Sequence, residues 1–567
     1  MIDLNKRKIV FAYIPDYLFI NDEKTPYGLL CLKEVLESSN QYTAEIWDYN
    51  LNLFNRKISN TPSNMIATFN MIAEELSKIG ADAISFYTMC SNFYCCIPIA
   101  RKFKEICPNT PCLFAGPHAT CIAQNILEQY PFIDYVSMGE GEKSVLSIFD
   151  AIFSNQDFAG VNGIAFRAND EINIQWNRKE RILGAKLPQI DLGRYFPVDP
   201  SSFITLEGGR GCPFSCTFCS TQKFWGNVFV VKPVEMLISE MQHYYSKYGA
   251  NKFSISHDLF TANRQYILTF CQKVCELPFK VEWGCSSRLD VLDEELIAAM
   301  IRSGCTDIYI GIESGSQRMQ KKISKNLNID ILCETLSLLL SGYVSCILSF
   351  IYGYPFEETE DIELTLQKIY EAKILESDLS CAVLTIQLHR LTFLPGTVIA
   401  EEYYNELEFE GINTMSYFDE DVEIPLEIRE LMLQNKTGFL NCYNLRENMN
   451  KFFNHLGDFV CLWFNLYYIR YRKTIDLVFQ HFQKLISFFE YVYNTDASFF
   501  LETSRFSGVY FGEDRDNLLC AAFEEFIVNH FANNQVIIHT LNEEMLLAEI
   551  ANEPKVSFRD GHYYVFD

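Results

Sequence analysis

The sequence predicts an α/β chain in three parts: a doubly wound domain on a parallel sheet, a parallel barrel of six β-α units, and a mainly helical C-terminal region. Three observations carry this. Short apolar runs alternate with helical patterns through the first 160 of 567 residues. Six further strand-like runs, separated by helical patterns, recur between residues 201 and 400. Beyond residue 401 the apolar residues fall at helical spacing instead. The expected boundaries are 1–160 for the first domain, 161–200 for a linker with a small hairpin, 201–400 for the barrel and 401–567 for the helical domain.

In the first domain, Lys8–Pro15, Tyr42–Asp48, Ala81–Thr88, Pro111–Gly116 and Phe132–Gly139 read as strands. Gly28–Ser38, Met71–Ile79 and Ile97–Ile106 read as the helices between them. Ligands of such sheets bind beyond the carboxyl ends of the strands. Two loops there carry small residues, Gly116-Pro-His-Ala-Thr120 and Gly139-Glu-Gly-Glu142. Glycine at such ends permits close approach of a ligand to the backbone, although many strands end in glycine for structural reasons alone.

The six barrel strands are expected at Phe203–Glu207, Lys252–Ser256, Lys280–Gly284, Asp307–Gly311, Val344–Ile351 and Val383–Leu388. Their carboxyl ends lead into the Gly208–Cys219 loop, His257-Asp258, Ser286-Ser-Arg-Leu-Asp290, Glu313-Ser-Gly-Ser316 and Tyr352-Gly-Tyr-Pro355. In the last region, Leu426–Leu440, Lys473–Tyr493 and Leu518–Phe531 show helical periodicity, and Val556–Phe566 reads as a closing hairpin. Dense aromatics there, such as Trp463-Phe464 and Phe488-Phe489, suit a helical core. We expect this region to cap the barrel mouth and select the substrate.

A net charge of −26 argues against a nucleic-acid partner, whose affinity rests on Lys and Arg neutralising phosphates. Twenty cysteines in so long a chain do not form the disulfide framework of short secreted domains. The uncharged stretch Thr335–Phe356 is interrupted by Gly342, Gly353 and Pro355, so it reads as helix, turn and buried strand rather than a membrane span. Met1–Lys6 lacks a basic segment followed by an apolar signal core. The expected location is cytoplasmic, without membrane association.

Cys212, Cys216 and Cys219 follow Gly208-Gly-Arg-Gly with the spacing C-x3-C-x2-C. Thiolates are soft ligands suited to iron–sulfur clusters or zinc. A structural zinc site needs a fourth ligand nearby, and the next cysteine is Cys271. Three ligands on a four-iron cluster leave one iron open for chemistry. With Phe218 in the aromatic slot, the motif resembles that of the radical SAM enzymes.

The resemblance implies a partial TIM-like barrel holding a [4Fe–4S] cluster on Cys212, Cys216 and Cys219. S-adenosylmethionine then binds the open iron, and Phe218, Asp258, Ser287, Arg288, Glu313 and Gly353 are its candidate contacts. Arg288 is a candidate for the methionine carboxylate, since guanidinium offers a bidentate fork. Asp258 or Glu313 is a candidate for the amine or the ribose hydroxyls, and Phe218 for the adenine.

An open α/β domain before the cluster motif further resembles the cobalamin-binding branch of that family, as does Phe224-Trp-Gly226 after it. By that resemblance the first domain is Rossmann-like and binds cobalamin near Gly116, His118, Thr120, Gly139 and Gly141. Two departures stand out. The D-x-H-x-x-G motif is absent, Pro15–Asn21 occupying its place, and Asn227 and Lys232-Pro233 stand where relatives carry arginines.

The function expected is a cobalamin-dependent radical SAM C-methyltransferase acting on an unactivated carbon of a peptide or small molecule. Its electron donor would be of the flavodoxin or ferredoxin type. The rivals are other radical outcomes on the same scaffold, namely cyclisation, oxidation or epimerisation, and a non-catalytic cobalamin or redox sensor. No side chain is singled out as catalytic, and the sequence does not name the substrate.

Overall fold

The computed structural model describes all residues except 1–5, 15–26, 50–63, 155–157, 177–181, 380–381, 412–423, 505–512, 552–554, 560–561 and 567. The stretch Pro15–Asn21 lies outside the described residues. The chain divides into two compact units. The first comprises Met1–Tyr195, Thr217–Val228 and Thr392–Arg446, and the second Phe196–Cys216, Phe229–Leu391 and Glu447–Asp567. These limits do not coincide with the sequence-derived boundaries at 160, 200 and 400, because each unit is assembled from several segments.

The first unit is built on a seven-stranded sheet in the order β2-β1-β3-β4-β5-β6-β7. Its strands are β1 (Arg7–Tyr13), β2 (Tyr42–Asp48), β3 (Ala83–Tyr87), β4 (Cys112–Ala115), β5 (Tyr135–Ser137), β6 (Ile164–Ala168) and β7 (Glu171–Gln175). β1 to β5 are parallel, as expected. The expected hairpin in 161–200 is present, but β6 and β7 extend the sheet antiparallel, so the sheet is mixed. A two-residue turn with Asn169 and Asp170 at positive φ closes this hairpin.

Both faces of the parallel part are covered. Ile9 and Phe11 face Leu29, Leu36, Val145, Ile148 and Phe149 of the helices Tyr27–Ser38 and Val145–Ser154. Alternation places Val10, Ala12, Phe86 and Phe114 on the other side, where Phe93 of the helix Phe93–Ile106 meets Phe114 edge-on. Continuous burial such as that of Ile9–Ala12 is the signature of a strand covered on both sides.

The second unit holds a six-stranded, wholly parallel sheet, the partial (β/α)6 barrel, in the order β13-β12-β11-β10-β9-β8. The strands are β8 (Ile204–Glu207), β9 (Lys252–Ser256), β10 (Glu282–Arg288), β11 (Cys305–Glu313), β12 (Ser345–Tyr352) and β13 (Leu384–Arg390). One face is apolar and buried: Phe253, Ile255, Trp283, Ile308, Ile310, Leu348, Ile386 and Leu388. The alternate residues are polar and accessible, among them Ser254, Ser256, Tyr309 and His389. β10 begins and ends later than its sequence pattern suggests, so Ser287 and Arg288 belong to the strand itself.

An open parallel sheet exposes unpaired backbone at its outer strands. At β13 side chains close that edge. Asn465 accepts a hydrogen bond from Ile386 N (2.9 Å) and donates to Ile386 O (2.8 Å), and Cys461 Sγ accepts from Leu388 N (3.1 Å). Asn465 sits in a π-helical turn, Trp463–Tyr467, that continues the helix Lys451–Leu462. Gly457 of this helix lies so close to the strand that a Cβ would stand 2.2 Å from Leu388 O. The helical C-terminal segment is therefore welded to the barrel edge rather than separate from it. Residues 392–446, expected to belong with those helices, are grouped with the first unit. The terminal hairpin pairs Lys555–Arg559 with His562–Phe566, as expected.

Candidate functional site

The cluster loop leaves β8 at Glu207 and immediately needs glycine. Gly209 (φ +153°) leaves only 2.1 Å between a hypothetical Cβ and Val230 O, and Gly211 (φ +83°) takes a left-handed conformation. Asp258, two residues beyond β9, accepts a hydrogen bond from Gly211 N (2.7 Å), which fixes the backbone directly before Cys212. Asp258 thus holds the loop, whereas the sequence suggested it as a direct contact for S-adenosylmethionine. His257 beside it is a satisfied core histidine: Nδ1 accepts from Leu259 N, and Nε2 faces Val230 O at 3.1 Å. Burial lowers its pKa to about 4, so it is neutral at physiological pH.

Cys212, Cys216 and Cys219 are partly accessible and in no disulfide, whereas most other cysteines are buried. Cys212 and Cys216 belong to the second unit and Cys219 to the first. Covalent linkage alone keeps Cys219 within about 11 Å of Cys216. Among the described residues no three His, Cys, Asp or Glu side chains converge on a single-ion position. A polynuclear cluster makes no such demand, since each thiolate binds a different iron.

Arg288, at the end of β10, ties this loop to the barrel. Its Nη1 lies 3.9 Å from Cys216 Sγ, and its guanidinium stacks 3.8 Å over the Phe214 ring. The fork that sequence reasoning offered to a methionine carboxylate is taken by Asp290, with Nε and Nη2 each 2.9 Å from a carboxylate oxygen. Nη2 also donates to Lys325 O (2.7 Å). Burial pulls the Arg288 pKa down, but Asp290 and the Cys216 and Cys212 thiols more than offset this, and it ends above its ordinary value. A fixed cation beside the thiols suits an anionic cluster.

Lys325 carries the network onward, with its Nζ 2.5 Å from Glu313 Oε1 and both side chains buried. Glu313 ends β11 at φ +69°, a left-handed conformation costing roughly 1–3 kcal/mol for a non-glycine residue. Its carboxylate folds back over Gly311, where a Cβ would meet Glu313 Oε1 at 2.6 Å. Ser287 faces the buried side of β10 and shares a hydrogen bond with Thr261 (2.7 Å). Gly353, after β12, is left-handed (φ +86°), with its N–H on Glu357 Oε2 and its carbonyl on Asn448 Nδ2. Phe218 is half-buried.

Among the described residues, Glu207 Oε2 and Glu357 Oε1 at this end are buried without a hydrogen-bond partner. Glu207 is buried, and Arg210 Nε holds its Oε1 (2.6 Å) while Oε2 is unsatisfied. Such an oxygen, just before the cluster loop, fits a ligand that brings its own ammonium. On the polar barrel face stand Tyr309 and His389, both accessible to solvent. Burial raises the Tyr309 pKa and lowers that of His389, with Glu313 close enough to act on both. Sequence reasoning missed Phe214, Lys325, Tyr309 and His389; only the period-2 alternation of β11 and β13 could have pointed to the last two.

In the first unit, a cavity of about 710 Å³ opens beyond the carboxyl ends of β4 and β5. Thr120 and Met138 contribute from those strand-end loops, and Trp176 from the end of β7. Lys223 stands on the helix Thr221–Trp225 that follows Cys219, and Gly396, Tyr404 and Thr437 come from residues 392–446. Thr120 Oγ1 accepts from Gly139 N (3.0 Å), joining the two glycine loops. Gly116 (φ +104°) packs on Thr88, where a Cβ would stand 2.7 Å from Thr88 O. Gly141 packs against Leu32.

His118 is not among the residues that line this cavity. Its Nε2 is 3.0 Å from Gly438 O, and its ring meets Phe93 at 4.7 Å. Burial lowers its pKa to about 4, so the neutral ring donates Nε2–H to the carbonyl.

Comparison with known proteins identifies residues 206–369 as a domain of the radical SAM superfamily. An uncharacterized methyltransferase of Pyrococcus horikoshii is 27% identical over 307 residues, covering 53% of this chain and 66% of that protein. An anaerobic magnesium-protoporphyrin IX monomethyl ester cyclase of Cereibacter sphaeroides is 27% identical over 322 residues, covering 53% and 51%. The chain thus spans between half and two thirds of the length of these relatives. Among solved structures, the cobalamin-dependent S-adenosylmethionine radical enzyme OxsB, with aqua-cobalamin and S-adenosylmethionine bound, superposes with a TM-score of 0.59. It shares 14% identity over 96% of this chain and 80% of OxsB, a likeness of fold. A radical SAM domain takes a [4Fe–4S] cluster and S-adenosylmethionine as its cofactors. Among the described residues no helix is long and apolar enough to cross a membrane.

Proposed function

We propose that this radical SAM protein is a cobalamin-dependent methyltransferase that modifies an unactivated carbon of a small molecule or peptide. One observation carries the cobalamin part: a large cavity at the strand ends of the first unit is walled by the helix directly following Cys219. Its lining also fits the chemistry of a corrinoid. Gln124, Asn125, Asn405, Thr120 and Thr437 offer neutral hydrogen-bonding groups, suited to a cofactor rimmed with amides, between apolar Met138, Ile174 and Leu440.

When bound, the cluster would supply one-electron reduction of S-adenosylmethionine, and cobalamin would supply a transferable methyl group. The chain's own residues hold and shield. Cys212, Cys216 and Cys219 ligate the cluster, and Asp258 and Arg288 fix the loop that carries them. Glu207 Oε2 accepts from the ammonium of S-adenosylmethionine, the role for which Asp258 had been considered. Glu313 and Lys325 set the end of β11, and Gly353 gives backbone access after β12. The accessible Tyr309 and His389 contact the substrate. His118 would not offer its Nε2 to cobalt, because that nitrogen donates to Gly438 O.

The relation to a magnesium-protoporphyrin ester cyclase keeps a second reading in play, a different radical outcome on the same scaffold. Anaerobic reconstitution with cobalamin and with S-adenosylmethionine bearing a deuterated methyl group separates the two. Transfer of the labelled methyl to a product, with 5′-deoxyadenosine formed alongside, supports the proposal. Production of 5′-deoxyadenosine with an unlabelled product and no cobalamin uptake sinks the methyltransferase reading.

A further inference from the structure

Arg288 ends β10 with its side chain only 7% exposed. Nε and Nη2 each stand 2.9 Å from an oxygen of Asp290, and Nη2 also donates to Lys325 O (2.7 Å). The N–H of Nε and both N–H groups of Nη2 are thereby used. The guanidinium carbon lies 3.8 Å from the centre of the Phe214 ring, which fixes the plane. Nη1 remains, and it lies 3.9 Å from Cys216 Sγ. Phe214 and Cys216 belong to the same loop, so ring and thiol meet the same cation.

Two other cations at this end of the second unit answer to carboxylates of their own. Lys325 pairs with Glu313 at 2.5 Å and Arg210 with Glu207 at 2.6 Å. Arg288 has a carboxylate too, but the two partners differ in their access to water. Asp290 is 31% exposed, so solvent screens its charge, whereas the guanidinium is buried against the loop. At Cys216 Sγ the positive charge therefore outweighs the negative one. A bidentate hold on a ligand carboxylate needs two parallel N–H groups, and Asp290 already has them.

Resting on the assignment of the cluster to Cys212, Cys216 and Cys219, we infer that Arg288 raises the reduction potential of that cluster. Reduction adds a negative charge to a centre that its thiolates already make anionic. A fixed cation at one of those sulfurs stabilises the reduced state more than the oxidised one, so the potential rises. The same reasoning gives Asp290 the opposite sign, because it offsets part of the guanidinium's charge. Phe214 holds the plane that keeps Nη1 at the sulfur.

Anaerobic redox titration of the reconstituted full-length protein, followed by electron paramagnetic resonance without S-adenosylmethionine, tests this. Arg288→Gln makes the cluster harder to reduce. The reduced-to-oxidised ratio at a fixed potential falls about tenfold, which is ~59 mV for one electron. Asp290→Asn moves the midpoint the other way by a smaller step. Equilibrium dialysis of S-adenosylmethionine on the same samples shows its affinity for Arg288→Gln changed by less than about threefold, since the fork is already taken. A midpoint equal to the wild type's overturns the inference, and an accompanying loss of affinity of about tenfold would assign the guanidinium to the methionine carboxylate instead. Should Arg288→Gln take up no cluster, Asp290→Asn decides alone: a raised midpoint supports the inference, and an unchanged or lowered one overturns it. A wild type that takes up no four-iron cluster overturns the cluster assignment itself.

Discussion

Replacing Lys325 by Met removes the cation that compensates Glu313. The ion pair is 2.5 Å long, and its side chains are only 6% and 10% exposed, so water cannot take over the ammonium's role. Breaking a buried pair from one side costs about 3–5 kcal/mol, because the remaining charge stays desolvated. The backbone adds to this, since Glu313 is held at φ +69° and its anchor is that same pair. Glu313→Gln with Lys325→Met leaves no buried charge, and we expect the double variant to recover to within about 1 kcal/mol of wild type. The carbonyl of Lys325 that receives Arg288 is untouched by either change. Urea unfolding followed by tryptophan fluorescence reports on this unit through the buried Trp283 and Trp463. A Lys325→Met cost below about 0.5 kcal/mol, or a double variant no better than the single, would refute the reasoning: the pair would then be a solvated contact.

Glu357 gives a pH dependence. Burial raises its pKa from 4.5 to about 8, against the lowering effect of the Gly353 and Tyr354 amides, and Oε1 has no partner, as suits a protonated carboxyl. The folded state thus holds a proton that the unfolded chain releases. This contribution is complete below pH 4.5 and falls as pH rises toward about 8, at about 1.4 kcal/mol per pH unit. Glu357→Gln should flatten the stability profile over that range; an unchanged slope would show the carboxylate ionised in the fold. Asn465→Leu should cost about 2–5 kcal/mol by stranding the N–H and C=O of Ile386 at the edge of β13, measured as a loss of thermal stability. Truncation after Thr397 should give an insoluble or unfolded barrel for the same reason, and a soluble product with an intact cluster would contradict the role assigned to that edge.

The element order and the cluster motif were legible because they are local. Alternating β-α patterns located the parallel strands, and C-x3-C-x2-C with its glycines marked the loop. The partners of those residues were less visible. Asp290 lies two residues from Arg288, yet nothing in the pattern says that it claims the guanidinium before a ligand can. Glu313 reads as an ordinary strand end; its positive φ and its pairing with Lys325 depend on a loop closing over Gly311. The cavity gathers Thr120, Trp176, Lys223 and Tyr404 from stretches spread over nearly three hundred residues, and no periodicity links them. Asn465 is invisible for a similar reason, because a π-helical turn sets its direction. The sequence does not show that Thr392–Arg446 groups with the first compact unit, because that grouping depends on contacts between distant segments.

The central claim is that Cys212, Cys216 and Cys219 hold a redox-active four-iron cluster that cleaves S-adenosylmethionine. Anaerobically reconstituted and reduced protein, examined by electron paramagnetic resonance with and without S-adenosylmethionine, tests it most directly, with 5′-deoxyadenosine measured in the same tubes. The account predicts a [4Fe–4S]⁺ signal that shifts on adding S-adenosylmethionine, with 5′-deoxyadenosine formed, and loss of both in Cys216→Ala. A reduced protein with no such signal, or a Cys212→Ala/Cys216→Ala/Cys219→Ala variant that keeps it, would contradict the account.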